Sequence, residues 1–303
     1  MKFINELMSD PKVQYKKIGD FAKRSKRNEW AESNEKMLRD LSPFPISYDV
    51  SQTQPINFSE FTYTEFLNGL WTACQSLELN SKIINDASLI DSDINILEEM
   101  RENLTDKYIL EEVPDKFSKL KKICFLPGHN ALDIASTEMI SRLVAEDDNV
   151  FFKPHPITNE ESLKMIANIV GWHKLIPKDI SGNTLLYNCS EIYTTSASEM
   201  SITGTILGKK VINVSNFFNE GSGSYHSISR IIFISHKESV TLARQKLANI
   251  FNCYWSGFIF PNQENTEERI NEYFNKSLKY REIFKPLSYP RGSGPTKIKP
   301  TIR

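Results

Sequence analysis

The chain has 303 residues, of which 40% are hydrophobic and 25% charged, and its net charge is -1. This composition is typical of a soluble globular protein, and the length suits two domains. No apolar run approaches the ~20 residues that span a bilayer, and the first residues lack the apolar segment of a secretory signal. The four cysteines are Cys74, Cys124, Cys189 and Cys253. They form no C-x-x-C pair, which argues against a zinc site or a disulfide framework and predicts a cytoplasmic protein.

Charge is unevenly distributed along the chain. Residues 12–27 contain seven Lys or Arg and one Asp, and residues 288–303 contain four Lys or Arg and no acid. Basic clusters at both ends suit a polyanion or an anionic membrane surface, although solvated surface charge explains them equally well. The candidate residues for contacts with a polyanionic acceptor are Lys23, Arg24, Lys26, Arg27, Lys297 and Lys299.

The first 118 residues predict a helix-rich α/β domain. Helical patterns surround residues 5–27, 60–77 and 94–103, and residues 43–58 indicate a strand and a loop. We expect this domain, residues 1–118, to lie on the acceptor side of any site.

Residues 119–262 alternate short apolar runs with helical patterns. Nearly continuous apolar strands separated by helices indicate a parallel sheet covered on both faces, so this region is predicted to be Rossmann-like. The predicted strands are residues 123–126, 149–152, 191–195, 211–214 and 231–234. The predicted helix starts are Asn130, a capping box from Thr158 to Glu161, Ser196 and residue 238. Residues 263–303 predict a helix that packs back across the first domain, followed by a basic tail.

Three loops follow strands of this sheet and are expected at its carboxyl edge, where open parallel sheets bind ligands. They contain Gly128-His129-Asn130, Lys153-Pro154-His155-Pro156 and Thr194-Thr195-Ser196-Ala197-Ser198-Glu199. Hydroxyls, a helix N-terminus, imidazoles and a lysine suit a phosphate group, and a histidine can protonate a leaving phosphate. Each loop also has a plain structural interpretation, since Ser196-x-x-Glu199 is a capping box and His155 can brace a proline turn.

The order of these motifs resembles that of nucleotide-sugar glycosyltransferases of the GT-B architecture. A strand ending in Lys-Pro-His-Pro is followed by a strand that runs into Thr-Thr-Ser-Ala-Ser-Glu and a helix that ends Leu-Gly-Lys-Lys-Val. This pattern, over residues 123–214, is most similar to the bacterial sialyltransferase and capsule Kdo-transferase type. The resemblance implies two Rossmann-like domains, the N-terminal one reduced and helix-rich, and a donor of the CMP- or UDP-sugar type.

The resemblance also implies roles for individual residues. His155 and Pro156 correspond to the HP motif of the family, which holds the donor phosphate, and His155 is the implied catalytic residue at the departing phosphate. Relatives often have a glutamate where this chain has Thr203, and Glu199 lies one turn earlier. The implied donor-binding residues are Gly128, His129, Lys153, Pro156, Thr195, Ser196, Ser198 and Glu199. Relatives of this type mostly invert the anomeric centre and need neither a metal nor a cofactor besides the nucleotide sugar.

An inverting transfer needs a base in the first domain to deprotonate the acceptor hydroxyl. Asp49 is the predicted base, and Asp91 and Asp93 are alternatives. Two acceptors suit the basic termini: hydroxymethylated bases of phage DNA, slightly favoured, or a capsule or lipooligosaccharide glycan at the inner membrane. Because no motif marks any of these carboxylates as a base, a non-catalytic nucleotide-binding protein is the alternative of a different class.

Overall fold

The computed structural model describes residues 36–37, 40–41, 46–48, 61–66, 69–74, 77–102, 104, 111–128, 135–215, 225–260 and 263–283. Several predictions from the sequence fall outside these residues and stay predictions. They concern the helix over residues 5–27, the base Asp49, the helix start at Asn130, the nucleotide-site residue His129 and the basic residues Lys23, Arg24, Lys26, Arg27, Lys297 and Lys299.

The described strands are β1 (Ile46–Tyr48), β2 (Phe61–Phe66), β3 (Gly69–Cys74), β4 (Lys122–Phe125), β5 (Val150–Lys153), β6 (Glu191–Thr194), β7 (Lys210–Asn213) and β8 (Phe258–Ile259). The described helices are α1 (Leu77–Ala87), α2 (Ile96–Glu102), α3 (Asp115–Ser118), α4 (Thr137–Glu146), α5 (Glu160–Val170), α6 (Gly182–Asn188), α7 (Met200–Ile206), α8 (His226–His236), α9 (Val240–Asn252) and α10 (Thr266–Ile283). A short 3-10 turn, Trp172–Lys174, follows α5.

The first sheet has the order β1-β2-β3-β8 and is mixed: β1 and β2 are parallel, whereas β2, β3 and β8 pair antiparallel. The helix predicted over residues 60–77 is therefore wrong. This segment forms a hairpin in which Phe61 pairs with Cys74 and Phe66 pairs with Gly69. Its many aromatic and β-branched residues favour strands and outweigh the helical spacing of its apolar residues. A mixed sheet also differs from the parallel sheet expected of a second Rossmann-like domain.

The second sheet has the order β5-β4-β6-β7, and all of its strand pairs are parallel. This confirms the parallel sheet predicted from the apolar runs. On one face, Ile123 and Ile192 pack against Leu185 of α6; on the other, Cys124 and Phe152 lie in the core that α4 and α5 complete. Both faces are covered, which explains why its strands are apolar nearly throughout.

Several predicted boundaries in this region are corrected. Residues 231–234 are helical within α8, because a short apolar run fits a buried helix as well as a strand. α5 is capped by Asn159, whose side chain accepts from Ser162 N, and not by Thr158. α7 begins at Met200, after Ser196, and therefore has only 7 residues.

The two sheets are joined by shared helices. A buried core connects Trp71 of β3 with Ile202 of α7, Ile228 of α8 and Leu247 of α9. α10 packs on α1, in a core that includes Ile83. The domain boundaries at residues 118 and 262 stay predictions. Among the described residues, no helix is both long enough and apolar enough to cross a membrane.

Candidate functional site

The candidate site lies at the carboxyl edge of the second sheet. The chain leaves β4 for β5 on one side, and β6 then pairs with β4 on its other side. The strand order thus reverses at β4, and such reversals open a crevice for ligands in parallel α/β sheets. Since neighbouring strands lie about 4.8 Å apart, the ends of β5 and β6 are separated by about 10 Å across β4.

The end of β6 carries hydroxyls that are buried without hydrogen-bond partners. Thr194 and Thr195 are each 0% exposed, and neither Oγ1 atom has a partner in the part of the chain that the structure describes. A buried hydroxyl without a partner costs about 1–3 kcal/mol, so such groups call for an explanation. Thr194 ends the strand and Thr195 begins the following turn, in which Ser198 N donates to Thr195 O at 3.1 Å. Thr195 is therefore the better placed of the two for a ligand at the edge.

The serine turn is held against the end of β7. Ser196 N donates to Ser215 Oγ at 2.8 Å, and that hydroxyl donates to Asn213 Oδ1 at 2.6 Å. Ser215 N also donates to Asn213 Oδ1, at 2.8 Å. These bonds fix the backbone of Ser196, which is buried, and so fix the position of Thr195 beside it.

The predicted helix N-terminus after the serine turn is less suited to an anion than expected. Ser198 Oγ accepts from Met200 N at 3.2 Å, so the side chain of the serine motif already occupies one of the first N–H groups of α7. Glu199 stands at the N-cap, and Tyr225 Oη donates to its carboxylate at 3.3 Å. Thr203 Oγ1 donates back to Glu199 O at 3.3 Å, so its hydroxyl is used within the helix.

The His155 turn lies at the end of β5. His155 is half-buried, its carbonyl accepts from Thr158 N at 2.9 Å, and its Nδ1 atom accepts from Ile157 N at 3.3 Å. In a neutral imidazole whose Nδ1 accepts, the proton is on Nε2, which is then a donor. Thr158 in the same turn is 1% exposed, and its Oγ1 atom has no partner within the described ranges. A third buried hydroxyl of this kind, after those of Thr194 and Thr195, therefore lies beside the predicted histidine.

Lys153 has a structural environment. It is 3% exposed, and its ammonium donates to Pro154 O at 2.8 Å and to Lys178 O at 2.7 Å. Both acceptors are backbone carbonyls of the turn and of the facing segment. The lysine that was predicted to bind the donor thus holds two loops together.

The β4 loop approaches the His155 turn closely. A Cβ atom added to Gly128 would lie 3.1 Å from Ile157 Cδ1, so the glycine allows this approach. The structure therefore brings Gly128, His155 and the buried Pro156 together on one side of the crevice. The serine turn borders its other side.

Other acidic and imidazole groups lie elsewhere. Glu191 begins β6 at the opposite edge of the sheet and pairs with Lys210 at 2.7 Å, so it lies outside the candidate site. Asp91 and Asp93 are exposed between α1 and α2, and Asp93 accepts from Asn95 N at 2.9 Å. His236 bonds Thr205 Oγ1 at 2.9 Å, and burial lowers the pKa of this histidine to about 4.

Sequence reasoning missed four contributors: Thr158, Lys178, Asn213 and Ser215. Thr158 matched a capping box, which concealed its buried hydroxyl. Asn213 and Ser215 lie at the carboxyl end of the parallel strand β7. The rule that ligands bind at the carboxyl ends of parallel strands could therefore have identified both residues from the sequence. Lys178 lies far along the chain from the turn it contacts and carries no local signal.

Comparisons with known proteins give only weak similarities. No protein-family model matches the chain, and no curated protein matches it. Among solved structures, the beta Kdo 2,4 transferase KpsC of Thermosulfurimonas dismutans is 15% identical with a TM-score of 0.37, over 51% of this chain and 61% of that one. A putative UDP-N-acetylglucosamine 2-epimerase from Listeria monocytogenes is 11% identical with a TM-score of 0.29, over 75% of this chain and 55% of that one.

MnaA of S. aureus, in a structure with UDP, is 12% identical with a TM-score of 0.28, over 65% of this chain and 53% of that one. The chain thus covers 53–61% of the length of these three proteins. TM-scores of 0.28–0.37 are too low to establish a shared fold. What the edge binds is therefore argued from its own residues.

Proposed function

We propose that the carboxyl edge of the second sheet binds the phosphate of a nucleotide sugar and that the chain is a glycosyltransferase of GT-B type. The observation that carries the proposal is Thr195, whose hydroxyl is buried at the switch point of a parallel sheet and has no partner among the described residues. A phosphate oxygen is a strong acceptor that would complete this hydroxyl. Thr158 offers a second such hydroxyl beside His155, on the other side of β4.

His155 is the proposed group at the departing phosphate. The acceptor oxygen attacks the anomeric carbon, and the bond between that carbon and the phosphate oxygen breaks with its electron pair on the phosphate. The Nε2 proton of His155 stabilises the charge that develops there, as preorganised donors do in general. The acceptor proton goes to a carboxylate base, for which Asp49 is proposed.

The resemblance of the HP and serine motifs supports a CMP- or UDP-sugar donor. The first test is calorimetric titration of the chain with CMP, UDP and their sugar conjugates. We expect at least one of these nucleotides to bind. We also expect that His155→Ala abolishes sugar transfer while the chain stays folded. If none of them binds, the proposal fails. If a nucleotide binds but no nucleotide sugar is consumed, the chain is a non-catalytic nucleotide-binding protein.

The acceptor is proposed to be anionic, with hydroxymethylated bases of DNA slightly favoured over a capsule or lipooligosaccharide glycan. Phosphate contacts by the basic residues near both ends would give binding that weakens steeply with salt. A gel shift of hydroxymethylated duplex DNA at low and high salt tests this choice. No shift at low salt would remove the DNA acceptor and leave the glycan.

A further inference from the structure

We propose that Lys178 is a positioning residue for His155, an inference that rests on the proposed binding of phosphate at this edge. Lys178 lies between the 3-10 turn and α6, in a segment that faces the His155 turn. Its ammonium donates to Thr158 O at 2.9 Å, whereas its own carbonyl accepts from Lys153 Nζ at 2.7 Å. The segment is thus bonded to both ends of the turn.

The turn needs such support because prolines flank its histidine. Pro154 and Pro156 have no N–H group and cannot take part in a regular backbone ladder. Within the turn, Thr158 N and Ile157 N donate to the His155 carbonyl and to its Nδ1 atom. The carbonyls of Pro154 and Thr158 instead accept from the ammonium groups of two lysines. Lysine side chains therefore add two bonds to the single backbone bond that closes the turn, from Thr158 N to the His155 carbonyl.

Of the two lysines, Lys153 and Lys178, the second is the better one to replace when the position of His155 is tested. Lys153 is 3% exposed, so its loss would leave a buried gap and two carbonyls without donors. The Lys178 side chain is 19% exposed, and its other partner is Glu160, at 3.5 Å, whose side chain is 75% exposed. Because an exposed pair contributes little, the bond to the Thr158 carbonyl is the main role of Lys178.

The expected consequence concerns the orientation and tautomer of His155. With the turn closed, Ile157 N donates to Nδ1 at 3.3 Å and the imidazole proton is held on Nε2. Without Lys178, the Thr158 end of the turn loses its tie, and this long Nδ1 bond is the first to weaken. The ring then samples the other tautomer, in which Nε2 can no longer donate to a phosphate.

The test compares Lys178→Met and Lys178→Arg with Lys164→Met, which removes an exposed lysine of α5. The first readout is the dissociation constant of the CMP or UDP nucleotide that the wild type binds. The second is the ¹⁵N NMR pattern of the His155 imidazole in the free protein, assigned with His155→Asn. We expect Lys178→Met to mix the tautomers and to weaken binding about two- to tenfold, since only the fraction of rings that keeps the proton on Nε2 can donate to the phosphate. Arginine should restore both, and Lys164→Met should change neither.

Each result decides between alternatives. If Lys178→Met leaves both affinity and tautomer unchanged, the inference is overturned. If affinity falls while the tautomer stays, Lys178 acts on the nucleotide directly and the positioning role is refuted. If the wild type binds no nucleotide but the tautomers still mix, Lys178 does position the histidine and only the proposed function fails. Should the methionine variant not fold, Lys178→Gln takes its place with the same readouts.

Discussion

Two buried threonines of the same segment should respond in opposite ways to replacement by valine, which keeps the shape and removes the hydroxyl. Thr195 and Thr205 are both 0% exposed. Thr205 Oγ1 donates to Ser201 O at 2.8 Å and bonds His236 Nε2 at 2.9 Å, whereas Thr195 Oγ1 has no partner among the residues that the structure describes. The pair therefore separates a hydroxyl that supports the fold from one that is proposed to bind phosphate.

The magnitudes follow from hydrogen-bond energetics. Thr195→Val removes a hydroxyl whose burial without a partner costs about 1–3 kcal/mol, so the free energy of unfolding should stay the same or rise by about 1 kcal/mol. A hydrogen bond to a charged phosphate contributes about 1.5–3 kcal/mol, so nucleotide affinity should fall about 10- to 100-fold. Thr205→Val should lower the free energy of unfolding by about 1–2 kcal/mol and leave the affinity unchanged.

Urea unfolding of the free protein measures the first quantity, and calorimetric titration with the CMP or UDP nucleotide bound by the wild type measures the second. The contrast between the two variants is the decisive result, since each serves as the control of the other. Should Thr195→Val lose as much stability as Thr205→Val and keep its full affinity, the hydroxyl of Thr195 has an internal role. The assignment of phosphate to this edge would then be refuted.

Three further predictions concern stability. Lys153→Met should lower the free energy of unfolding, measured in urea, by about 2–4 kcal/mol, because the buried Pro154 carbonyl and the partly buried Lys178 carbonyl lose a charged donor. A loss below about 1 kcal/mol would contradict the structural role of Lys153. Gly204→Ala should lower the free energy of unfolding by about 1–3 kcal/mol, since the added Cβ would lie 2.3 Å from Ile192 Cδ1. Adding Ile192→Val should recover part of this loss, because it removes the Cδ1 atom. If the two substitutions have independent effects in a double-mutant cycle, the predicted clash is disproved. Burial lowers the pKa of folded His236 from its ordinary 6.5 to about 4, so its contribution to the free energy of unfolding should be lost as the pH drops from 6.5 towards 4 and be constant above that range. Urea unfolding at several pH values should show a weaker pH dependence of the free energy of unfolding in His236→Gln than in the wild type, and an unchanged one in His173→Gln. Equal pH dependence in all three proteins would refute this prediction.

The strands of the second sheet could be predicted from the sequence because their burial on both faces makes them apolar throughout. Residues 123–126, 149–152, 191–195 and 211–214 match β4, β5, β6 and β7 within a residue or two. The same reasoning failed for residues 231–234, since an apolar run of that length also fits a buried helix. The hairpin of β2 and β3 was missed because chance helical spacing outweighed residue type in the prediction.

For the candidate site, the sequence predicted the positions of the loops but not the contacts of their side chains. The positions of its loops followed from the sequence, since every parallel strand ends at the same edge and the polar residues come directly after the strands. The contacts of individual side chains did not follow. Lys153 looked like a phosphate ligand, yet its ammonium is buried on the carbonyls of Pro154 and Lys178.

The sequence by itself determined a parallel α/β sheet and the loops that meet at its carboxyl edge, because apolar runs that alternate with helical patterns are visible in the local sequence. Only the tertiary structure decided which polar groups of those loops are already satisfied. Thr195 and Thr205 are alike in type and burial, but Thr205 bonds the carbonyl of Ser201 one turn earlier and a histidine on α8 that lies 31 residues further along the chain. Partners such as His236 come from distant segments, and therefore only the folded chain shows which of its described buried hydroxyls lack one.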